Sequence, residues 1–200
     1  VKLMAMAAPC IPMAKRMVIM KCIKLILTLL MLSVAGGAFY LYSGIYPIGA
    51  DVPHHRATYW LLETLRERSV ARAAEHIAIP DDLDSAERLL AGGADYNEMC
   101  STCHLQPGRD NSDMSIGLYP APPNLTEAEH GSMDETFALQ RQFWIIKHGI
   151  KASAMPAWGP THDDDRIWSM VAFLQRLPDL TADQYQIITS RTERSGAGHH

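Results

Sequence analysis

The pentapeptide Cys100-Ser101-Thr102-Cys103-His104 has the pattern C-x-x-C-H. Two cysteines at this spacing can each add a thiol across a vinyl group of one porphyrin, and the adjacent histidine then lies beneath the iron as its proximal ligand. A C-x-x-C pair alone also occurs in redox dithiols and zinc sites. This sequence has no second C-x-x-C pair, and the histidine follows directly. The motif therefore predicts one covalently attached haem c, with His104 as an iron ligand.

A long uncharged segment precedes this motif, at residues 25–48. As a helix it would measure about 36 Å, more than the bilayer's hydrocarbon core of about 30 Å. The charged residues before it are all basic: Lys2, Lys15, Arg16, Lys21 and Lys24. Because basic residues remain on the cytoplasmic side, we expect a single-pass anchor in a bacterial cytoplasmic membrane, with the haem domain on the periplasmic side.

A cleaved secretory signal is the alternative interpretation of the same segment. Gly36 and Ala38 are small residues at a spacing that a signal peptidase accepts. The apolar run continues past them through Tyr40, Tyr42 and Tyr46, which are typical of the aromatic belt at a membrane surface. We favour an uncleaved anchor, and the sequence leaves cleavage open. Both interpretations export the motif, as covalent haem attachment requires.

The charges are segregated along the chain. All 22 acidic residues follow the apolar segment, whereas five of the 18 basic residues precede it. The exported part therefore has 13 basic and 22 acidic residues, a net charge of −9. This balance disfavours nucleic acid and anionic lipid as partners of the domain as a whole. It suits a protein partner with a basic patch.

The sequence predicts an all-α protein, because apolar residues recur at helical spacing and no segment reads clearly as a strand. We expect five segments: a basic cytoplasmic lead (1–24), the anchor (25–48), an exported helical linker (49–83), the haem domain (84–180) and a C-terminal tail (181–200). The linker helix is predicted near 56–78. Its apolar positions Trp60, Leu61, Leu65 and Ala73 are expected to pack on the haem domain.

Three helices are predicted in the haem domain. The first is capped by Asp84 or Ser85 and runs to Cys100. The second spans 134–147 and ends at Gly149. The third spans 163–177, with acidic residues at its positive N-terminal end, and stops at Pro178.

With these residues in place, the segment 84–180 resembles a class I monohaem cytochrome c domain, of the kind found as haem subunits and carriers in bacterial respiratory chains. The resemblance covers about half of the chain and rests on an ordered set of motifs: Gly93-Ala94-Asp95-Tyr96, the C-x-x-C-H pentapeptide, Pro123-Asn124-Leu125, Met155-Pro156-Ala157-Trp158 and the helix at 167–174. One departure is a longer segment between His104 and Pro123, expected to form an irregular loop near the haem rim.

The resemblance implies specific contacts. The first and last helices should cross where Gly93 and Tyr96 face Phe173. The carbonyl of Pro123 should accept a hydrogen bond from His104, which fixes the tautomer of a ligating imidazole. Leu125 should pack on the haem edge.

Met155 is the candidate for the second axial ligand. It lies in a short loop between two predicted helices, where a thioether can reach the far face of the ring, and the resemblance implies the same role. Met/His ligation would give a fairly high reduction potential. The rival ligands that remain are Met114, Met133, His130, His148 and His162.

Other residues have two interpretations each. In one interpretation, Trp158 donates its indole N–H to a haem propionate, and Arg141 or Lys147 offsets the propionate charge. In the other, Trp158 is an apolar residue lining the haem pocket, as Trp144 and Trp168 would be. His54 and His55 are adjacent, and adjacent histidines converge poorly on a metal; we interpret them as an interfacial polar pair. The pair His199 and His200 supports no argument.

The expected function is single-electron transfer by a membrane-anchored cytochrome, between a quinol-oxidising complex and a terminal oxidase or reductase. It would not be an enzyme in its own right, and nucleic acid and small organic substrates are not expected partners. A fixed haem subunit of a larger membrane oxidoreductase is the second interpretation. A haem enzyme or gas sensor with a displaceable sixth ligand is the third, and Met155 argues against it.

Overall fold

The computed structural model describes residues 13–127 and 134–190. The chain divides into two compact units, residues 1–49 and 50–200. The described residues form α-helices, one short 3₁₀ turn and connecting loops, and none of them lies in a β-strand. The predicted all-α class is confirmed.

The first unit contains helix α1, Met13–Tyr42. Its 30 residues span about 45 Å at 1.5 Å per residue, so α1 is long and apolar enough to cross a membrane. It begins well before the predicted start at residue 25, and the chain turns at Gly44 rather than continuing as helix to Ile48. A secretory signal would also satisfy these requirements, so cleavage stays open.

Helix α2, Arg56–Ala74, packs on α6, Glu135–His148, so the predicted packing of the linker helix on the haem domain is observed. The predicted contact face is wrong. Trp60, Leu61 and Leu65 are 60–67% exposed, and Val70 and Ala74 are buried instead. The reason is electrostatic as well as steric, because the inner side of α2 carries Glu67, whose carboxylate accepts two hydrogen bonds from Arg141 on α6.

The core of the second unit is built on the crossing of α3, Ala86–Met99, and α7, Asp164–Leu174. Ser85 and Asp163 cap the two helices by accepting hydrogen bonds from backbone N–H groups of their first turns. At Gly92 a Cβ atom would lie 1.9 Å from the backbone oxygen of Ser169, so only glycine permits this approach. The predicted packing of Gly93 and Tyr96 on Phe173 is confirmed.

The predicted third helix is shorter than expected: α7 ends at Leu174, and Pro178 lies in the 3₁₀ turn Leu177–Asp179. Residues assigned to the tail then form another helix, Ala182–Thr189, which we call α8. It packs on α3 and buries Tyr185. Two shorter helices, α4 (Ser101–His104) and α5 (Asp113–Gly117), follow α3.

Two apolar clusters form the core, and α7 contributes to both. The first joins α6 to α7 through Phe143, Ile146, Ile167, Trp168, Met170 and Val171. The second joins α3, α7 and α8 through Tyr96, Phe173, Leu177 and Tyr185. Half-buried Leu174 packs against both clusters.

Candidate haem-attachment site

The C-x-x-C-H motif lies on a helical turn that continues from α3. The backbone N–H groups of Cys103 and His104 both donate to the carbonyl of Cys100, at 3.1 and 2.9 Å. The two cysteines are therefore one turn apart, where residues three apart share a helix face. Both are free thiols and half-buried. This arrangement lets both sulfurs reach one planar ligand.

The imidazole of His104 is fixed through one nitrogen. Its Nδ1 lies 2.9 Å from the carbonyl oxygen of Pro123, so Nδ1–H donates and Nε2 keeps its lone pair for a metal. Burial lowers the pKa of His104, and the bond to Pro123 only partly opposes this shift. A neutral imidazole is the form that binds iron, so the site fits a haem ligand.

Two further hydrogen bonds position this turn. The hydroxyl of Tyr96 donates to the carbonyl of Leu105 at 2.8 Å, where the chain leaves the helix with a φ of 70°. The backbone N–H of Leu125 donates to the carbonyl of His104 at 3.2 Å. Leu125 itself packs against the second cluster, as Cys100 does. The turn is thus held from α3 and from the Pro123–Leu125 segment.

The surroundings of Cys100 disfavour a thiolate. Burial raises the pKa of Cys100 to about 12, and the nearby Asp95 and Cys103 add to that shift. Redox dithiols and zinc ligands need thiolates, which are favoured by low pKa values. Within residues 13–127 and 134–190, no group of three or more His, Cys, Asp or Glu side chains is placed to hold a metal ion. These observations favour neither the redox nor the zinc interpretation.

Met155 lies in a loop that is anchored to the C-terminal end of α6. The backbone N–H groups of Trp158 and Gly159 donate to the carbonyls of Ile146 and Lys147, at 3.1 and 2.9 Å. The backbone N–H of Met155 donates to Ser153 Oγ at 3.1 Å. These bonds fix the Met155 backbone, while its half-buried side chain packs against the first cluster together with Trp158.

The turn at Gly149 makes this loop possible. Gly149 has a φ of 64°, and a Cβ there would lie 2.6–2.7 Å from backbone atoms of Met155, Pro156 and Ala157. A side chain at this position would push the loop away from α6. The loop that carries the candidate sulfur ligand therefore depends on one glycine.

The rival ligands have other surroundings. Met114 is 47% exposed on α5. The ring of His148 packs on Trp144 at a centroid distance of 4.9 Å, and His162 Nδ1 lies 2.8 Å from Thr161 Oγ1. His130 and Met133 lie outside the described residues, as do His199 and His200.

The cations considered for the propionates already have carboxylate partners. Arg141 pairs with Glu67, and Lys147 Nζ lies 2.6 Å from Asp164 Oδ1. His54, interpreted as part of an interfacial pair, contacts the segment between His104 and Pro123: its backbone N–H donates to the hydroxyl of Tyr119 at 3.1 Å, and the two rings meet edge to face.

The structure contains an ion pair between α3 and α7 that the sequence did not predict. Arg166 on α7 donates from Nε and Nη2 to both oxygens of Asp95 on α3, at 2.6 and 2.9 Å. Asp95 is 5% exposed. The signal in the sequence is an acidic residue two positions after Gly93, within the segment of α3 that packs on another helix. The pair stabilises the helix crossing one turn before Cys100.

Comparison with known proteins agrees with this geometry. Residues 87–174 match the family model described as "Cytochrome C oxidase, cbb3-type, subunit III". No curated protein and no solved structure gave a significant match. The matched segment contains the attachment motif, the Pro123–Leu125 segment, the Met155 loop and the α3–α7 crossing. Residues 87–174 are therefore similar to the cytochrome c domain of this family, and an apolar helix long enough to span a membrane precedes them in the chain.

Proposed function

We propose that this chain is a membrane-anchored cytochrome that transfers single electrons between respiratory-chain partners through one covalently attached haem c. The observation that carries the proposal is the C-x-x-C-H turn, in which His104 donates from Nδ1 to Pro123 and leaves Nε2 for iron. The cytochrome c domain match supports the same chemistry. When bound, the haem supplies an iron that accepts and releases one electron.

Each site residue has a role in this proposal. The thiols of Cys100 and Cys103 would hold the haem covalently, each adding its S–H across one vinyl group. His104 and Met155 would bind the iron, and Pro123 orients His104. Leu125 and Trp158 would exclude water from the haem edge.

The proposed location is the bacterial cytoplasmic membrane, with α1 as the anchor and the haem domain on the periplasmic side. The exported part has a net charge of −9, which favours weak docking to partners with basic patches. A quinol-oxidising complex as donor and a terminal oxidase or reductase as acceptor fit this role.

A fixed haem subunit is the second candidate, and the printed family description, which names an oxidase subunit, favours it specifically. Purification of the full chain in mild detergent distinguishes the two candidates. Stoichiometric co-purification with other membrane subunits would indicate a fixed subunit. Recovery of the haem protein alone, with electron exchange restored on mixing with its partners, would indicate a carrier.

The haem assignment is tested by maturation in a host that attaches haem c. We expect one haem per chain in the pyridine haemochrome assay and a haem-stained band after denaturation. Replacing Cys100 and Cys103 with alanine should abolish the stained band. A wild-type chain without covalent haem would refute the proposed function.

The Met155 assignment needs a variant that keeps the packing. Met155→Leu conserves side-chain volume but removes the sulfur, so the far-red band of sulfur-ligated ferric haem should disappear and the reduction potential should fall. Met114→Leu on α5 is the matched control and should change neither property. If the band persists in Met155→Leu, another residue is the ligand. Rapid carbon monoxide binding by the reduced wild type would favour the enzyme or sensor interpretation.

A further inference from the structure

Helix α2 turns an apolar surface away from the domain on which it packs. Its exposed apolar residues are Tyr59, Trp60, Leu61, Leu62 and Leu65, between 42% and 67% exposed. Leu61 and Leu65 are four residues apart and lie on one helix face, opposite the buried Val70 and Ala74. An exposed apolar area of this extent on one short segment indicates a surface that a membrane or another molecule covers.

The charges on α2 are sorted between its two sides. Its acidic residues, Glu63 and Glu67, are both half-buried and engaged by arginine: Glu63 pairs with Arg66, and Glu67 with Arg66 and Arg141. Arg68 and Arg72 are exposed and continue the stripe of Leu61 and Leu65 toward the C-terminal end of the helix. The outward face thus combines leucine with arginine, and neither carboxylate of the helix lies on it; the exposed Glu75 follows as the C-cap residue.

Leucine beside arginine on an exposed helix face suits the surface of a membrane. Aliphatic side chains enter the acyl boundary and arginine reaches the phosphates, and the exposed Trp60, which flanks this face, suits the headgroup level. The acidic excess lies elsewhere in the exported part. The domain would therefore approach phospholipid with α2 rather than with its other surfaces.

The chain also keeps α2 within reach of a bilayer. Residues 43–55 connect the end of α1 to the start of α2, and 13 fully extended residues reach at most about 45 Å. With α1 in the membrane, this tether holds α2 at a high effective concentration near the lipid surface, so weak interfacial affinity suffices. A soluble partner or a second copy would have no such advantage.

From these observations we infer that the outward face of α2, formed by Leu61, Leu65, Arg68 and Arg72, binds the phospholipid surface and lays the cytochrome domain against the membrane. The inference rests on the membrane anchoring proposed above. It adds a second membrane contact, parallel to the bilayer, that would limit the directions in which the haem domain faces its partners.

Photolabelling of the full haem-loaded chain in phospholipid vesicles tests this inference. One lipid probe carries its diazirine near the glycerol end of an acyl chain, and a second carries it at the acyl terminus. We expect the shallow probe to label peptides of α1 and of α2, and the deep probe to label α1 alone, because an interfacial helix enters only about 5–10 Å. Mass spectrometry of the peptides gives the labelled positions.

Substitutions identify the contact face. Leu61→Gln with Leu65→Gln should lower labelling of α2 by roughly tenfold, because two leucine side chains no longer leave water, while labelling of α1 and the haem spectrum stay unchanged. Ile116→Gln with Ile187→Gln, two residues that are more than 70% exposed outside α2, is the matched control and should label as wild type does.

The other outcomes overturn the inference in different ways. Labelled α1 with unlabelled α2 would refute the α2 contact and leave the anchor standing. Absence of label on both helices would refute the anchoring itself. Equal labelling of α2 in the leucine double variant would show that its labelling is non-specific.

Discussion

Replacing Gly92 with alanine would place a methyl group inside the crossing of α3 and α7. The Cβ would lie 1.9 Å from Ser169 O, 2.4 Å from Ser169 C and 2.9 Å from Met170 N, whereas ordinary contact begins at 3.4 Å. The difference at Ser169 O means that the two backbones must separate by about 1.5 Å. No side-chain rotation relieves this clash, because all three neighbours are backbone atoms.

The expected cost follows from two opposing effects. Overpacking a well-ordered core costs typically about 1–3 kcal/mol and occasionally more, and a backbone clash that separates Tyr96 from Phe173 belongs at or above the upper end. Alanine gains about 1 kcal/mol of helix propensity over glycine. We expect a net loss of about 3 kcal/mol. For a unit of this size, that corresponds to a melting temperature lower by roughly 6–12 °C.

Thermal unfolding of the haem-loaded full chain in mild detergent, followed by haem absorbance, measures this loss. Gly93→Ala should cost less, about 1 kcal/mol, because its Cβ meets side-chain atoms of Phe173 and Ile188 at 3.0 Å that can shift. Gly117→Ala, with no atom within 4 Å, is the control and should melt as wild type does. A Gly92→Ala protein melting within about 2 °C of wild type would refute the close crossing.

Three further results are expected. Burial raises the pKa of Glu67, but Arg141 and Arg66 outweigh it and hold that pKa below its ordinary 4.5, so the stabilisation from Glu67 is complete above pH 4.5 and is lost as pH falls through the lowered value. Glu67→Gln should therefore lower the free energy of unfolding by about 1 kcal/mol or less near neutral pH, and the difference from wild type should shrink in acid. A difference that does not change with pH would show that the ion pair has no role. Arg166→Gln should cost about 3 kcal/mol in denaturant unfolding because it leaves a buried carboxylate unpaired, and adding Asp95→Asn should recover part of that loss; equal stability of the single and double variants would contradict this. Gly149→Ala should weaken the far-red sulfur band and lower the reduction potential in a redox titration, because the displaced loop carries the proposed sulfur ligand, whereas an unchanged spectrum would show that the loop tolerates a side chain there.

Local signals in the sequence were sufficient for the starts of α3, α6 and α7. Ser85, Asp134 and Asp163 were expected near helix N-termini, and each accepts a hydrogen bond from its own first turn. Capping depends on a few neighbouring residues, so it is visible without the fold. The α8 helix also had such a signal, because Thr181 and Gln184 form a capping box. The resemblance to cytochrome c domains ends at residue 180, so residues 181–200 are predicted as a tail.

Contacts between residues far apart in the sequence could not be predicted from such local signals. Both sides of α2 combine apolar and charged residues, so the helix alone does not show which side packs. Arg141 on α6 pairs with Glu67, and Leu61 and Leu65 face outward. Likewise, the ion pair of Asp95 and Arg166 joins residues 71 positions apart, and the sequence around one residue gives no indication of the other.

The burial of Cys100 depends on elements that follow it in the chain. The cluster against which it packs includes Phe173 of α7 and Tyr185 of α8. If the chain is exported N-terminus first, as the proposed function requires, the two thiols emerge before the helices that pack over Cys100. The porphyrin would then be joined in that interval, before the interior closes. The order of the elements along the chain would set this timing.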